Sequence, residues 1–471
     1  MQIALNNAKS GGAAIIAAPL TIEHYSRFSA HAFKTQYNKV ERSDSFLQYR
    51  DGVQKKMMFE SKLFEAALSI QSPWFIKDVE FNVDAKRLDI YIDFKRGSTF
   101  PSGKSDGTEE YKVKDTLDKT WRHLNFFEHE CYLHCRTPRI DFGNNKTELI
   151  SPPWAGINTG FTLLFEALII ELCAHMPVHS VCQIINESDN KIWRLLEKYI
   201  DNALEYEDYS HITAVGMDET SRSKGHHYIS LFVDMVKGKT VHVAEGKDHK
   251  TVKDFVQSLE EHNGDRNQIK DASCDMSPAF IKGIKEYLPE ASITFDKFHI
   301  LKVINKAVDQ VRREEVSLQP ILTKTRYVLL KNHNNLTKNQ KDKLEELKLS
   351  KLNLKSIRAL HIRENFQEIY KASSEEEFET LLKKWYFWAT HSRLEPIIKA
   401  AKTIKNHWDG VLEWKKSQIN NGILEGLNSI VQAAKAKARG FRTFRNFRIV
   451  VFLLTGDLNF KALNPNVAIK Y

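Results

Sequence analysis

Cysteine is scarce in this chain, and its scarcity excludes one class of protein. There are five cysteines in 471 residues, an odd number, and Cys173 and Cys182 fall in segments with helical periodicity. Small secreted proteins that rely on disulfides contain closely spaced cysteines in even numbers. The composition therefore argues against a disulfide framework and favours a reducing cytoplasm.

A long hydrophobic run is missing as well. Residues 163–173 are apolar but short, and they include Glu166 and Glu171, so they do not form a membrane span. Residues 13–20 are also apolar, but only Lys9 precedes them, which makes a weak signal peptide. We therefore expect neither a membrane protein nor a secreted one.

Residues 1–57 differ from the rest of the chain because they show little periodicity, and two methionines, Met57 and Met58, stand at their end. Two interpretations stay open. These residues form a flexible leader, or they are translated upstream sequence and the natural start is one of the two methionines.

The chain does contain enough apolar sequence for large cores, together with an excess of basic residues. Hydrophobic residues make up 42%, which argues against global disorder, and the length suggests roughly two to four domains. The formal net charge is +9 and the pI is about 9.0. This balance favours a polyanionic partner.

Several segments between residues 58 and 155 alternate in hydrophobicity and predict β-strands. They are residues 78–83, 88–94, 127–133 and 136–142, with a Gly/Ser-rich loop at 97–107. The first two are close enough to form a hairpin. We therefore predict a small β-rich domain in this part of the chain.

Residues 156–208 change to helical periodicity. Helices are predicted at 161–175, 178–185 and 190–200, with Asp189 as the N-cap of the third. A short helix, a tight polar turn and a longer helix are the outline of a helix-turn-helix. An ordinary three-helix bundle fits this segment equally well, so both interpretations stay open. Lys191 and Arg194 on the third helix are candidate DNA contacts.

Residues 209–300 alternate between strand and helix patterns. Strands are predicted at 212–217, 228–235, 240–244, 269–274 and 292–295, with helices at 248–262 and 277–287. Three strands in an antiparallel meander, followed by helix, strand, helix and strand, is the order of the ribonuclease H-like fold. Residues 301–415 are helical and highly charged and predict an insertion. Residues 416–471 predict helices that complete the catalytic core, giving an α/β fold class.

Two aspartates end predicted strands of this core. Asp218 follows the first strand and Asp275 the fourth, and these strands are neighbours in such a sheet. With Glu425 from a later helix, they can hold two Mg²⁺ ions, which prefer oxygen ligands and catalyse phosphodiester displacement. Mn²⁺ can substitute. No His-x-x-x-His or His-Glu-x-x-His spacing surrounds these carboxylates, which disfavours zinc catalysis.

Structural roles compete with these assignments. An aspartate just after a strand is usually a turn residue or a helix cap. Glu219 and Asp296 are alternatives for the same metal-binding roles, and Asp296 also ends a strand. The histidines nearby, His226 and His299, are interpreted as structural residues.

The helix that contains Glu425 predicts a DNA-facing surface. At about 100° per residue, Asn428, Gln432, Lys435 and Arg439 fall within roughly 80° of the direction of Glu425. No acidic residue occurs between Glu425 and position 457. A cationic face beside the metal site can follow a DNA backbone.

Motifs spread along the chain carry a family resemblance. They lie at residues 63–68, 73–74, 119–127, 160–167, 216–221, 224–226, 274–277, 296–299, 307–314, 422–426 and 439–441. In this order and number, they resemble bacterial insertion-sequence transposases of the DDE type, specifically the ISL-three (ISL3) group.

The resemblance implies a ribonuclease H-like catalytic domain interrupted by a helical insertion, with Asp218, Asp275 and Glu425 as the metal-binding triad. It also implies a zinc-binding region and a helix-turn-helix that recognise terminal inverted repeats in double-stranded DNA, and assembly as a homo-oligomer on DNA. We expect Lys224 and His226 to position DNA near the site, with Lys435 and Arg439 on its phosphates.

One departure concerns zinc. Relatives carry two Cys-x-x-Cys pairs, but the corresponding positions here read Ser-Gly-Lys-Ser at 102–105 and Phe-Gly-Asn-Asn at 142–145. Cys131 and Cys135 remain, whereas a structural zinc site needs four ligands. We therefore predict a degenerate, zinc-ribbon-like domain without zinc.

The leading hypothesis is a DNA transposase that hydrolyses phosphodiesters and transfers strands. One alternative is a repurposed, DNA-binding regulatory protein without cleavage activity. Another is a junction-resolving nuclease of the same fold, which would not need the helix-turn-helix or the long insertion.

Overall fold

The computed structural model describes residues 61–468 except 103–108, 142–145, 158, 224–226, 351, 418 and 420–421. The predicted leader, both loop positions compared with zinc ligands (apart from Ser102), and Lys224 and His226 lie outside the described residues. The chain divides into two compact units, residues 1–71 and 72–471. In the first unit, residues 61–67 are helical; all elements below belong to the second.

A six-stranded sheet forms the β-rich domain. Its strands are β1 (Trp74–Asn82), β2 (Arg87–Phe94), β3 (Thr99–Pro101), β4 (Glu110–Phe126), β5 (His129–Asp141) and β6 (Thr147–Leu149). Their order is β1-β2-β5-β4-β3, with β6 paired to β5. The predicted hairpin is confirmed as the antiparallel pair of β1 and β2.

The prediction of separate strands at 127–133 and 136–142 is wrong. Residues 129–133 and 136–141 of these segments belong to one continuous strand, β5, and its long partner β4 is absent from the predicted elements. Most residues in the first half of β4 are exposed, and Trp121 is its first buried apolar residue. Tyr111 and Val113 alternate with charged residues at its start, but the alternation breaks at Asp115, so the periodic signal for this strand is short.

Cys131 and Cys135 lie on β5 and are buried together with Leu133 between them. Residues two and four apart on a strand share a face, so both thiols belong to the core of this sheet. Burial raises the pKa of each thiol to about 12. At neutral pH both therefore stay protonated and behave as small apolar side chains.

We expect purified protein to contain well under one zinc per chain. Zinc binds thiolates, and burial holds both thiols of β5 in the protonated form. Elemental analysis of protein purified without chelator tests this, with the Cys131→Ser/Cys135→Ser variant as the matched control. Stoichiometric zinc in the wild type that disappears in the variant would contradict the prediction.

The helical segment after this domain contains α1 (Leu163–His175), α2 (Val178–Ile185) and α3 (Asp189–Leu204). The three predicted helices are confirmed, but the predicted N-cap is wrong by one residue. Ser188 has extended backbone angles and is the N-cap, whereas Asp189 is the first helical residue. Asn186 ends α2 in the left-handed conformation, so the turn between the helices is short.

The central sheet has five strands: β7 (Ala214–Ser223), β8 (His227–Asp234), β9 (Lys239–Glu245), β10 (Asp271–Cys274) and β11 (Ser292–Phe295). Their order is β11-β10-β7-β8-β9. Strands β7 to β9 form an antiparallel meander, while β10 runs parallel to both β7 and β11. Helices α4 (Lys250–Glu261) and α5 (Pro278–Tyr287) connect the later strands, and Ser277 is the N-cap of α5 with Pro278 at its first position.

Helices cover both faces of this sheet. On one face, Met217 and Phe232 pack with residues of α4 and α5, including Phe255 and Phe280. On the opposite face, Leu231 and others pack with α1, α2, α3 and the C-terminal helices α13 (Gly422–Lys437) and α14 (Phe444–Thr455). The predicted helix-turn-helix and the C-terminal helices therefore share one face.

The predicted insertion is helical. It contains α6 (Lys297–Val316), α7 (Arg326–Leu330), α8 (Lys338–Leu349), α9 (Lys355–Ile369), α10 (Glu375–Thr390), α11 (Glu395–Asn406) and α12 (Trp408–Ser417). Its core, which includes Phe366 and Trp385, is continuous with the core of the sheet. Helix α12 approaches β11 so closely that a Cβ at Gly410 would lie 2.4 Å from the ring of Phe295. Within the described ranges, every helix is too short or too polar to cross a membrane.

Candidate active site

The strand register brings three aspartates to one edge of the central sheet. Ser273 of β10 pairs with Gly216 of β7, and Cys274 pairs with Phe295 of β11. If the pairing with β7 continues for two more residues, Asp275 lies beside Asp218. If the pairing with β11 continues for one more residue, Asp275 lies beside Asp296 on its other side. Because neighbouring strands lie about 4.8 Å apart, these carboxylates form a row across three strands.

Burial and neighbouring charges raise the pKa of two carboxyl groups here, those of Asp218 and Glu219. Burial raises the pKa of Asp218 to about 6; the charges of Asp275 and Asp296 push it upward too, while His299 and the N–H of Glu219 oppose the shift. That N–H donates to Asp218 Oδ1 at 2.7 Å. Burial also raises the pKa of Glu219, with the charge of Asp275 next in importance. A group of like charges whose ionisation is costly is a candidate cation site.

Asn428 of α13 provides a further oxygen at this edge. Its Nδ2 donates to Asp218 Oδ2, while its Oδ1 is buried and has no hydrogen-bond partner among the described residues. Carboxylate and amide oxygens are the ligands that hard divalent cations take. The unpartnered oxygen beside Asp218 therefore fits a divalent cation, although within the described ranges no three His, Cys, Asp or Glu side chains already converge on a metal position.

The third predicted ligand, Glu425, makes no contact with these aspartates among the described residues. It lies exposed on the first turn of α13 and makes no hydrogen bond or ion pair with a described residue. The preceding residue, Leu424, is buried against Ala214 and Met235. Glu425 thus stands one turn before Asn428, and it is Asn428 that reaches Asp218.

The polar residues that follow on α13 form a stripe against β7, which we call the α13 stripe: Asn428, Gln432 and Lys435. Gln432 donates to Thr220 Oγ1, and Lys435 Nζ donates to the carbonyl oxygen of Ser221 at 2.7 Å. Burial lowers the pKa of Lys435. The stripe therefore holds the helix on the strand, and the ammonium of Lys435 is partly engaged by the protein itself.

Arg439 does not continue this stripe, so that prediction is wrong. The helix ends at Lys437, and Arg439 has a left-handed backbone with φ of 57°. The N–H of Gly440 donates back to the carbonyl of Lys435 at 2.9 Å, as in a common helix-ending turn. The side chain of Arg439 is exposed.

Asp296 and His299 form a pair at this site, although the sequence predicted Asp296 only as an alternative metal-binding residue and His299 only as a structural residue. Asp296 caps α6 by accepting from the N–H of Phe298 at 2.8 Å, and its other oxygen bonds His299 Nδ1 at 3.0 Å. This bond raises the pKa of His299, and the charges of Asp218 and Asp275 act in the same direction. An Asp-x-x-His spacing across a helix start is the sequence signal for this contact.

The candidate DNA contacts of the helical segment lie on the exposed side of α3. Lys191 forms an ion pair with Glu187 at 2.9 Å, and Arg194 Nε donates to the carbonyl of Asn190 at 3.2 Å. Both side chains are exposed. Neither is buried in the core that α3 forms with its neighbours.

Comparison with known proteins gives two family matches. Residues 215–451 match the model of ISL3-type DDE transposases, described as "Transposase". Residues 150–200 match the model described as "Helix-turn-helix domain of transposase family ISL3". The two matches cover the central sheet with its insertion and the three-helix segment.

Two curated relatives match along most of their length. The transposase for insertion sequence element IS1557 of Mycobacterium tuberculosis is 23% identical over 421 residues, which cover 81% of this chain and 92% of the relative. The transposase for insertion sequence element IS1001 of Bordetella parapertussis is 24% identical over 397 residues, which cover 82% and 96%, respectively.

Proposed function

Because the chain belongs to the ISL3 family of transposases, we propose that it binds the terminal inverted repeats of its element and performs Mg²⁺-dependent hydrolysis and strand transfer there. The row of Asp218, Asp275 and Asp296 at one sheet edge carries this proposal. A ribonuclease H-like core is its structural premise, supported by the strand order β11-β10-β7-β8-β9.

Asp218 and Asp275 would hold the divalent ions, with Glu425 as the third carboxylate. Two bound Mg²⁺ ions, or Mn²⁺ in their place, activate the attacking oxygen and stabilise the leaving oxygen of an in-line displacement. Asn428 orients the carboxylate of Asp218 through its hydrogen bond. His299, held by Asp296, would lie near the phosphate that is cut, and its raised pKa favours the charged form of the imidazole.

DNA would reach this edge along the face that carries the C-terminal helices. Lys191 and Arg194 of α3 would contact the element end, and Arg439 its phosphates. Lys224 and His226 remain predicted contacts close to the site. Lys435 is bonded to β7 in the DNA-free chain, so its contact with a phosphate would replace that bond.

The decisive experiment is strand cleavage of a duplex that carries the repeat end. With Mg²⁺, the wild type should cut, and Asp275→Asn should lose cleavage by about a thousandfold or more while still binding the duplex in gel-shift assays. The matched control is Asp271→Asn, four residues earlier on the same strand and at its other end. Equal cleavage by wild type and Asp275→Asn would refute the assignment.

The exposed position of Glu425 favours one alternative, a DNA-binding regulatory protein without cleavage activity. The same assay separates the two. A regulatory protein would bind the repeat end without Mg²⁺-dependent cutting by the wild type, and substitution of Asp275 would leave its behaviour unchanged.

A further inference from the structure

A cavity of about 600 Å³ opens beside the aspartates, on the side of the sheet that carries α5. Glu219 and Asp275 lie at its inner end. Residues of the first turn of α5 form one wall, and one face of α6 forms another. Asp275 and His299 of the proposed reaction centre therefore also line this cavity, whereas Asn428 and the other described residues of α13 do not.

Three lysines line this cavity: Lys247, Lys302 and Lys306. All three are exposed, and none forms an ion pair with a described residue. Lys302 and Lys306 are four residues apart on α6, so both point from the same helix face. Lys247 approaches from the loop after β9, with its Nζ 4.2 Å from the ring centre of Tyr228. Positive charge therefore converges from two segments on one opening.

The start of α5 adds hydrogen-bond donors to the same cavity. Ser277 is the N-cap but makes no side-chain capping bond, and Pro278 has no N–H. The N–H groups of Ala279 and Phe280 make no hydrogen bond to a described residue. Free N–H groups at a helix start attract anionic oxygens. Lysines and helix start together suit a phosphate group.

This basic cavity and the α13 stripe lie on opposite faces of the sheet. The α13 stripe packs beside α14 and the three helices α1–α3, which match the helix-turn-helix of the family. The lysine cavity is on the face covered by α4 and α5. Asp275 lies at the edge between them. A DNA end held by the helix-turn-helix side leaves the cavity open to a second DNA.

We propose that Lys247, Lys302 and Lys306, together with the start of α5, bind backbone phosphates of target DNA, the duplex that receives the freed 3′-hydroxyl. This inference rests on the proposed transposase function. The cavity recognises phosphate and not base edges, so binding is independent of target sequence. Because the cavity would bind target DNA and not the element end, its loss should affect target capture without affecting end cleavage.

The test uses the full-length chain with Lys302→Ala/Lys306→Ala. Repeat-end binding and end cleavage should stay within about threefold of wild type, while transfer of pre-cleaved ends into plasmid falls by about thirtyfold or more, because two phosphate contacts are lost. The log–log salt dependence of target-duplex binding should become shallower by about 2. Lys302→Arg/Lys306→Arg should retain transfer.

A second pair of exposed lysines in the insertion provides the matched control, Lys338→Ala/Lys402→Ala, which removes the same charge elsewhere. Unchanged strand transfer in Lys302→Ala/Lys306→Ala overturns the inference, and so does an equal loss of cleavage and transfer. If the wild type does not cleave, the proposed function fails. The affinity for target duplex still tests whether the cavity binds DNA. A loss of affinity in Lys302→Ala/Lys306→Ala but not in the control pair supports the inference, and equal affinities overturn it.

Discussion

Asp218→Asn is expected to abolish cleavage and yet make the protein more stable. Loss of a ligand carboxylate should lower cleavage by about a thousandfold or more. The gain in stability follows from burial, which raises the pKa of Asp218 from 3.8 to about 6. The folded state therefore holds this proton more tightly than the unfolded state does. Ionisation then costs stability progressively as the pH rises from about 4 to about 6.

Asparagine removes that cost because it carries no charge, and it keeps an oxygen for the N–H of Glu219. Above pH 6 the variant should exceed the wild type by up to about 2–3 kcal/mol of unfolding free energy, with the difference vanishing below about pH 4. Urea unfolding in EDTA between pH 4 and 8 measures this. Asp254→Asn, at an exposed position of α4, is the control. A wild type as stable as Asp218→Asn at pH 7.5 would contradict the prediction.

A substitution that lowers activity but raises stability is typical of a cation-binding site. Several carboxylates at one sheet edge repel one another, and the repulsion is relieved when cations bind. Mg²⁺ should therefore raise the unfolding temperature of the wild type more than that of Asp218→Asn, since only the wild type has the complete ligand set. A bound cation would also give a partner to the buried side-chain oxygen of Asn428, which has none among the described residues.

Sequence reasoning placed Asp218 and Asp275 at the ends of two neighbouring strands, because strand periodicity is a local signal and the order of the elements indicated which strands pair. The pairing of β10 with β11 then brings Asp296 beside Asp275. The family resemblance inferred from motifs is likewise confirmed. These conclusions need only a pattern along the chain and the rule that parallel strands end at one edge.

Other parts of the site depend on tertiary packing and were beyond such reasoning. The periodicity of α13 gave its polar face correctly as far as Lys435, but the left-handed residue Arg439 ends it. No periodic signal reveals that Lys247 and Lys302 meet at one cavity, because 54 residues and several elements separate them. Strand β4 escaped prediction for a related reason, since most of its first half is exposed.

The largest difference between sequence and structure concerns Glu425, and it leads to the second prediction. Asn428 of α13 forms a hydrogen bond with Asp218, and Glu425 lies one turn earlier on the same helix. A shift of α13 along its axis by about one turn, or about 5 Å, would exchange the two side chains at the aspartates. Such a shift would break the hydrogen bonds of Gln432 and Lys435 to β7. It would also move the buried side chain of Leu424 away from its apolar neighbours. Binding of DNA and Mg²⁺ would supply the free energy.

Glu425→Gln is therefore expected to lose cleavage as completely as Asp218→Asn, by about a thousandfold or more, without the gain in stability, because an exposed side chain carries no burial cost. Asn428→Ala should lower cleavage far less. Spin labels at Ile430 on α13 and Lys237 beside β8, both exposed, should report a distance change of about 5 Å when repeat-end DNA and Mg²⁺ bind. Full activity in Glu425→Gln would remove this residue from the site. If Glu425→Gln loses activity but the distance between the labels does not change, Glu425 keeps its catalytic role and the shift of α13 is excluded. The side chain of Glu425 would then have to reach the metals without movement of the helix.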